Sequence, residues 1–276
     1  MLDSISHADR SFGEIVDETG GIDAFLDAHA VILMADHAQT DVDTALPLAQ
    51  ALGEDWRVLA PNAEQRSSAE LAVSPTARAA GIYLLAEDGR RSGMHAGVRA
   101  RLRSLDGVDL VAWLSGDNGA DPEAVVESSR GELRFRPGSQ HSDRRGVGWD
   151  LDGEPAALAL NRRDGGWLED AVYPDGLARL WSALTSPNAG DLLVSLEEGY
   201  ECVDWGGATH IGGASHGALL AGDSLGPLVL CGLEPGVGEA REQWALRDVA
   251  ALVLAHFGVD GGAPAHTTEA RAQVAP

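Results

Sequence analysis

Asp36 and His37 stand side by side at the end of a short apolar run, and two further histidines, His210 and His216, lie in a glycine-rich stretch far downstream. A carboxylate oxygen and an imidazole nitrogen are good ligands for zinc or manganese. Successive residues of a regular strand point to opposite faces, so Asp36 and His37 reach one ion only where the chain bends, as at a strand end opening into a loop. The dipeptide fits an aspartate capping a turn beside a solvated histidine just as readily. His216 follows His37 by 179 positions, and ligands so distant meet only if neighbouring strand ends carry them. Taken singly, each of these histidines also reads as a structural group with satisfied ring nitrogens. Asp3 and His7 have the i, i+4 spacing that places two side chains on one helix face. Thr40 offers a hydroxyl near Asp36, although a turn threonine is the plainer reading.

The elements that must position these residues follow from pattern. Leu2, Ile5, Phe12, Ile15 and Val16 predict an opening helix that buries one stripe and stops at Gly20-Gly21. The run AVILMA at 30–35 predicts a strand buried on both faces, the habit of central parallel strands, with Asp36 and His37 at its C-terminal end. In open α/β sheets that end is where ligands bind. Residues 55–147 read as a small α+β module: strand GIYLLA, a helix over 97–105, strand VDLVAWL, helical DPEAVVESSR, then strand-like ELRFR. Helix YPDGLARLWSAL and strand DLLVSL come next, before the glycine-rich loop holding Thr209, His210 and His216. Strand PLVLCG and a closing helix over 242–258, ended by Gly258, complete the pattern, with a frayed tail from Gly261.

Composition narrows the chemistry. The 276 residues include 43 acidic and 20 basic ones, a net charge of −23, and every basic residue is arginine. Without lysine there is no Schiff-base, lysine-nucleophile or P-loop chemistry. So acidic a chain is repelled by phosphate backbones, which argues against coating nucleic acid. Charge also marks the module: residues 1–54 carry −10, residues 55–147 are neutral and residues 148–276 carry −13. Arg99, Arg101 and Arg103, with Arg144 and Arg145, read as a solvated face or an anion contact. Cys202 and Cys231 belong to no CxxC pair and read as small core residues in a reducing cytoplasm. Neither a signal peptide nor a membrane span is expected, the apolar runs being too short. No dinucleotide fingerprint, GxSxG elbow or cysteine zinc cluster occurs.

VILMADHAQT resembles the Asp-His metal motif of the alkaline phosphatase superfamily. THIGGASHGALLAGDSLGPLVLCGL resembles that superfamily's later His-Gly segment, and LRDVAALVLAHFG its closing helix. The nearest branch is that of the type I phosphodiesterase and nucleotide pyrophosphatase-like hydrolases, and the resemblance covers about residues 1–54 and 165–258. It implies an α/β fold, an alkaline-phosphatase-like mixed, mostly parallel sheet flanked by helices, with the small α+β module inserted. The core would then comprise residues 1–54 and 148–260, the module 55–147 and the flexible tail 261–276.

The resemblance further implies two divalent cations, zinc or manganese, in a cytoplasmic phosphoester hydrolase acting on a small anionic substrate. Asp36 and His37 resemble the pair that holds one metal and His216 the late ligand of the second, with His210 a supporting residue or an alternative ligand. His216 matches better than His210 because Gly217 follows it and Asp223-Ser224-Leu225 precedes the next strand. In such hydrolases a metal-activated Thr or Ser attacks phosphorus, and the phospho-enzyme is then hydrolysed. The family carries that nucleophile, its companion Asp and an Asp-x-x-x-His pair upstream of Asp-His, whereas only 35 residues precede Asp36 here. Asp3 and His7 have the Asp-x-x-x-His spacing but lack the Gly-Pro that follows it in the family. The chain is therefore expected to be the C-terminal portion of such a hydrolase, inactive without a nucleophile-bearing half. The rival expectation is a non-catalytic remnant of the fold that associates with a partner or a second copy through exposed sheet edges.

Overall fold

Helix α1 (Leu2–Glu18) and helix α2 (Ile22–Ala28) are separated by Gly20 and Gly21, at φ 99° and 95°, a left-handed break that glycine adopts without steric cost. The computed structural model describes residues 2–61, 68–86, 88–116, 121–162, 167–169, 171–233 and 244–259. Two units divide the chain: Met1–Asp36 with Gly226–Pro276, and His37–Leu225. Strand β1 (Val31–Met34) ends the described secondary structure of the first segment.

The second unit begins with β2 (Thr40–Leu46) and α3 (Leu48–Gly53). It continues through β3 (Leu71–Thr76), β4 (Ala79–Leu84), α4 (Asp88–Arg103), β5 (Val108–Ser115), β6 (Glu123–Ser128), β7 (Gly131–Asp143) and β8 (Gly148–Gly153). After a 3-10 turn at Pro155–Leu158 come β9 (Asn161–Arg162), β10 (Trp167–Glu169), α5 (Gly176–Leu184), β11 (Leu192–Leu196), β12 (Gly199–Cys202), β13 (Ala214–Ser215) and α6 (Ala221–Ser224). The chain then re-enters the first unit with β14 (Leu228–Cys231) and α7 (Leu246–His256).

A nine-stranded sheet in the order β3-β4-β11-β5-β6-β7-β10-β9, with β8 on β7, dominates the second unit. The architecture is mixed α/β, a large sheet with helices, but the expected mostly parallel sheet is corrected: its pairings are antiparallel except β7 with β10. Short connections dictate this. Only Ala77 and Arg78 separate β3 from β4, and a two-residue turn can join only antiparallel neighbours. The helix expected over DPEAVVESSR is likewise corrected to strand β6. Ala124 and Val126 pack on one face of the sheet and Val125 on the other, all fully buried, and β-branched valines suit a strand clamped between β5 and β7. Strands of the 55–147 segment share this sheet with β11 at residues 192–196.

Alternating side chains feed a core on each face. Leu48, Leu52, Val98 and Leu102 of α3 and α4 pack against Val111, Trp113 and Val194, while Leu177, Leu180 and Leu184 of α5 pack with Leu110, Val126 and Phe135. A separate three-stranded sheet, β12-β2-β13, has β2 in the middle.

In the first unit β1 pairs antiparallel with β14, Val31 opposite Cys231 and Met34 opposite Leu228. The expectation of a strand buried on both faces is thus corrected: Leu33 is 63% exposed and Met34 41%. An apolar run encodes extended backbone, not the number or direction of its neighbours. The opening helix forms where expected, but of its apolar stripe Val16 is buried and Ile5, Phe12 and Ile15 are exposed. Phe12 meets the buried Phe25 edge to face, centroids 5.7 Å apart. The tail expected from Gly261 lies outside the described residues.

Candidate functional site

Strand β2 begins three residues after His37, and β13 ends one residue before His216. These strands pair antiparallel, Thr40 opposite Ser215 and Asp41 opposite Ala214. The ladder therefore brings the two histidines together from opposite ends of the unit. Their rings stack with centroids 3.8 Å apart and planes 21° from parallel. His37 Nδ1 lies 2.9 Å from the carbonyl oxygen of Ala38 and so donates to it, which makes Nε2 the lone-pair nitrogen of the neutral ring.

Gly217 follows His216 for a backbone reason. Its φ is 109°, and a Cβ there would stand 2.9 Å from the Thr76 carbonyl oxygen. Any other residue would push the His216 segment away from the β3–β4 turn, where the Arg78 amide donates to the His216 carbonyl at 2.8 Å.

Two buried carboxylates flank this segment. Asp223, 2% exposed, accepts from the Arg78 guanidinium, from Thr40 Oγ1 at 2.5 Å and from the Ala218 amide at 2.7 Å. Arg78, fully buried, also donates Nε to the Tyr200 carbonyl at 3.0 Å and Nη2 to the Glu197 carbonyl at 2.7 Å. Glu201 accepts from Ser215 Oγ at 2.5 Å and from the backbone and Nδ1 of His210, each at 2.6 Å. Burial pushes the Glu201 carboxyl up, but the hydrogen bonds from Ser215 and His210 outweigh it and hold the carboxyl below its ordinary range. The Cys202 thiol beside it is pushed up to about 12 by burial and by the Glu201 charge.

Of the residues expected to bind metal, the structure brings together His37 and His216. Asp36 is the last residue of the other unit. His210 is gripped by Glu201 instead, its side chain 65% exposed. Asp3 and His7 lie exposed on α1. The Thr40 hydroxyl donates a hydrogen bond to Asp223, which ties it to the Arg78–Asp223 pair. Arg99 stacks on Trp113 at 4.5 Å and pairs with Glu127. Arg101 pairs with Glu54 and Asp55, and Arg103 donates to the Asp109 carbonyl. Those guanidinium groups are partly buried and have partners within the chain. Cys202 and Cys231 are both free thiols.

The ring geometry bears on which ions would fit. Rings stacked in nearly parallel planes cannot both present an in-plane lone pair to one ion at the ~2.0 Å of a zinc–nitrogen bond. Among the described residues, no cluster of three or more His, Cys, Asp or Glu is placed to hold a metal ion. Also among the described residues, no helix is long and apolar enough to cross a membrane.

Arg78, Asp223 and Glu201 are the functional-site residues that sequence reasoning did not single out. Asp223 carried a weak signal, an acid in an otherwise apolar and glycine-rich segment near His216; Glu201, one acid among Glu197, Glu198 and Asp204, and Arg78, in a turn, carried none. No family model, curated protein or solved structure matches this chain.

Proposed function

We propose that the chain carries part of the active site of a metal-dependent phosphoester hydrolase of the alkaline phosphatase type. The observation that supports this is the stack of His37 on His216, two residues 179 positions apart that the Asp-His and His-Gly motifs single out. His37 would hold one divalent ion, zinc or manganese, and His216 the second. When bound, such ions neutralise the charge of a phosphate ester and make phosphorus more electrophilic. They would also offset the repulsion between a −23 protein and an anionic substrate.

The chain's own contribution is placement. The Ala38 carbonyl fixes the His37 tautomer, and the Arg78 amide and Gly217 fix the backbone of His216. The nucleophile is unassigned in this sequence. Equilibrium dialysis of the purified protein against zinc and manganese tests the reading. The wild type is expected to bind, and His37→Ala and His216→Ala each to weaken binding by about 10-fold or more. A wild type that takes up neither metal, or variants that bind as it does, overturns the assignment.

A second reading, a non-catalytic association module, draws on one observation. Among the described residues, thirteen of the exposed large apolar side chains, including Leu33, Val229 and Phe257, belong to the first unit. Sedimentation analysis separates the two readings: metal uptake by a monomer favours the hydrolase, and self-association without metal uptake favours the module.

A further inference from the structure

Asp223 touches both strands of chain that carry the stacked histidines. On the His37 side its carbonyl accepts from the Ala38 amide at 2.9 Å, and its carboxylate accepts from Thr40 Oγ1 at 2.5 Å. On the His216 side the same carboxylate accepts from the Ala218 amide at 2.7 Å. Arg78 completes the circuit, its side chain holding the Asp223 carboxylate and its backbone amide holding the His216 carbonyl at 2.8 Å. Every bond in this circuit lies within the second unit.

Such an arrangement exceeds what folding alone requires. A buried arginine–aspartate pair contributes little net stability compared with apolar residues of the same volume, because desolvating two charges offsets their attraction. What it provides is directional: the planar guanidinium fork and the two carboxylate oxygens fix angles that apolar packing leaves loose. Here the carboxylate connects Thr40 to Ala218 and to the Arg78 guanidinium, while the Asp223 carbonyl holds the Ala38 amide and the Arg78 amide holds the His216 carbonyl.

We propose that Asp223, held by Arg78 and Thr40, is the positioning residue that sets the His37–His216 stack. The expected change in cobalt affinity rests on the hydrolase reading; the positioning of the stack does not.

The test uses the full chain, three variants of the circuit and two histidine variants for assignment. Thr40→Val keeps the shape of the side chain and removes one donor to Asp223; Thr40→Ser restores the donor. Asp223→Asn removes the charge, and because it strands a buried arginine its failure to fold would leave the threonine pair to decide. Two quantities are read: the NMR shifts of the His37 and His216 ring protons, assigned with His37→Gln and His216→Gln, and the affinity for cobalt(II). In the wild type and Thr40→Ser the ring protons are expected upfield, each ring shielded by the other. In Thr40→Val that shielding collapses, and cobalt affinity falls about 10-fold or more, as when a residue supporting a metal-bound histidine is lost. If Thr40→Val folds and shows wild-type ring shifts, the positioning role is overturned. If the shifts respond and Thr40→Ser restores them while the wild type binds no cobalt, the positioning role stands and the hydrolase reading falls.

Discussion

Glu201 is a carboxylate with three donors and 1% exposure, and its chemistry is settled by those donors rather than by its position on β12. Replacing it with glutamine keeps the volume but turns an acceptor atom into an NH2 that faces the donors of His210 and Ser215. A buried donor left facing donors costs about 1–3 kcal/mol, so Glu201→Gln is expected to lose that much stability at pH 7 in urea unfolding. The pH dependence has a definite sign. The folded carboxyl titrates below its ordinary value of 4.5, so its contribution is complete above that value and is lost as pH falls through the folded one. The gap between wild type and Glu201→Gln should therefore be full at pH 7 and close in the acid range below about 4.5. Equal urea midpoints at pH 7, or a gap unchanged in acid, would show that the hydrogen bonds do not hold the charge. At this scale the histidines were legible because glycine and a strand end accompany them. Arg78 was not, since a turn arginine looks the same in sequence whether it faces water or a buried aspartate 145 residues away.

Strand β11 shows what an element's neighbours add to its sequence. LLVSL was readable as a buried strand, and it lies between β4 and β5 with Leu192 fully buried. VILM of β1 was readable the same way, yet it has β14 beside it and leaves Leu33 63% exposed. The expected consequence is a sharp contrast in mutant stability. Leu192→Ala opens a cavity in a packed core and should cost about 2–5 kcal/mol, whereas Leu33→Ala should change stability by no more than about 0.5 kcal/mol. Chemical denaturation of both variants checks this, and similar losses would mean that Leu33 is covered in solution. The misread element is equally instructive. In DPEAVVESSR the Asp-Pro-Glu start and the acidic residues match a helix N-terminus. Burial of Ala124, Val125 and Val126 against both faces decided otherwise, and that information lies in β5 and β7 rather than in the segment itself.

The two units differ most in how each is held together. The second has two cores, one on each face of its sheet, and carries 16 arginines against 29 acids. Within the first, Val16, Phe25 and Leu252 are the buried large apolar side chains among the described residues, and 4 arginines stand against 14 acids. Apolar burial is the main favourable term in folding, and like charges oppose it. With so little burial to offset −10 of its own charge, the first unit is expected to open at a much lower free energy than the second. Sub-global openings of this kind are what native-state hydrogen exchange resolves, because each amide reports the least costly opening that exposes it. Amides of α1, β1 and β14 should exchange quickly and with little dependence on denaturant, the mark of local opening. Amides of β5, β6 and β11 should exchange slowly, with a free energy approaching that of global unfolding. Uniform protection across β1 and β11 would show that the first unit acquires in solution a partner surface for Leu33, Val229 and Phe257. The same result, if accompanied by a concentration dependence of the β1 amides, would identify a second copy as that partner, since only association makes protection depend on protein concentration.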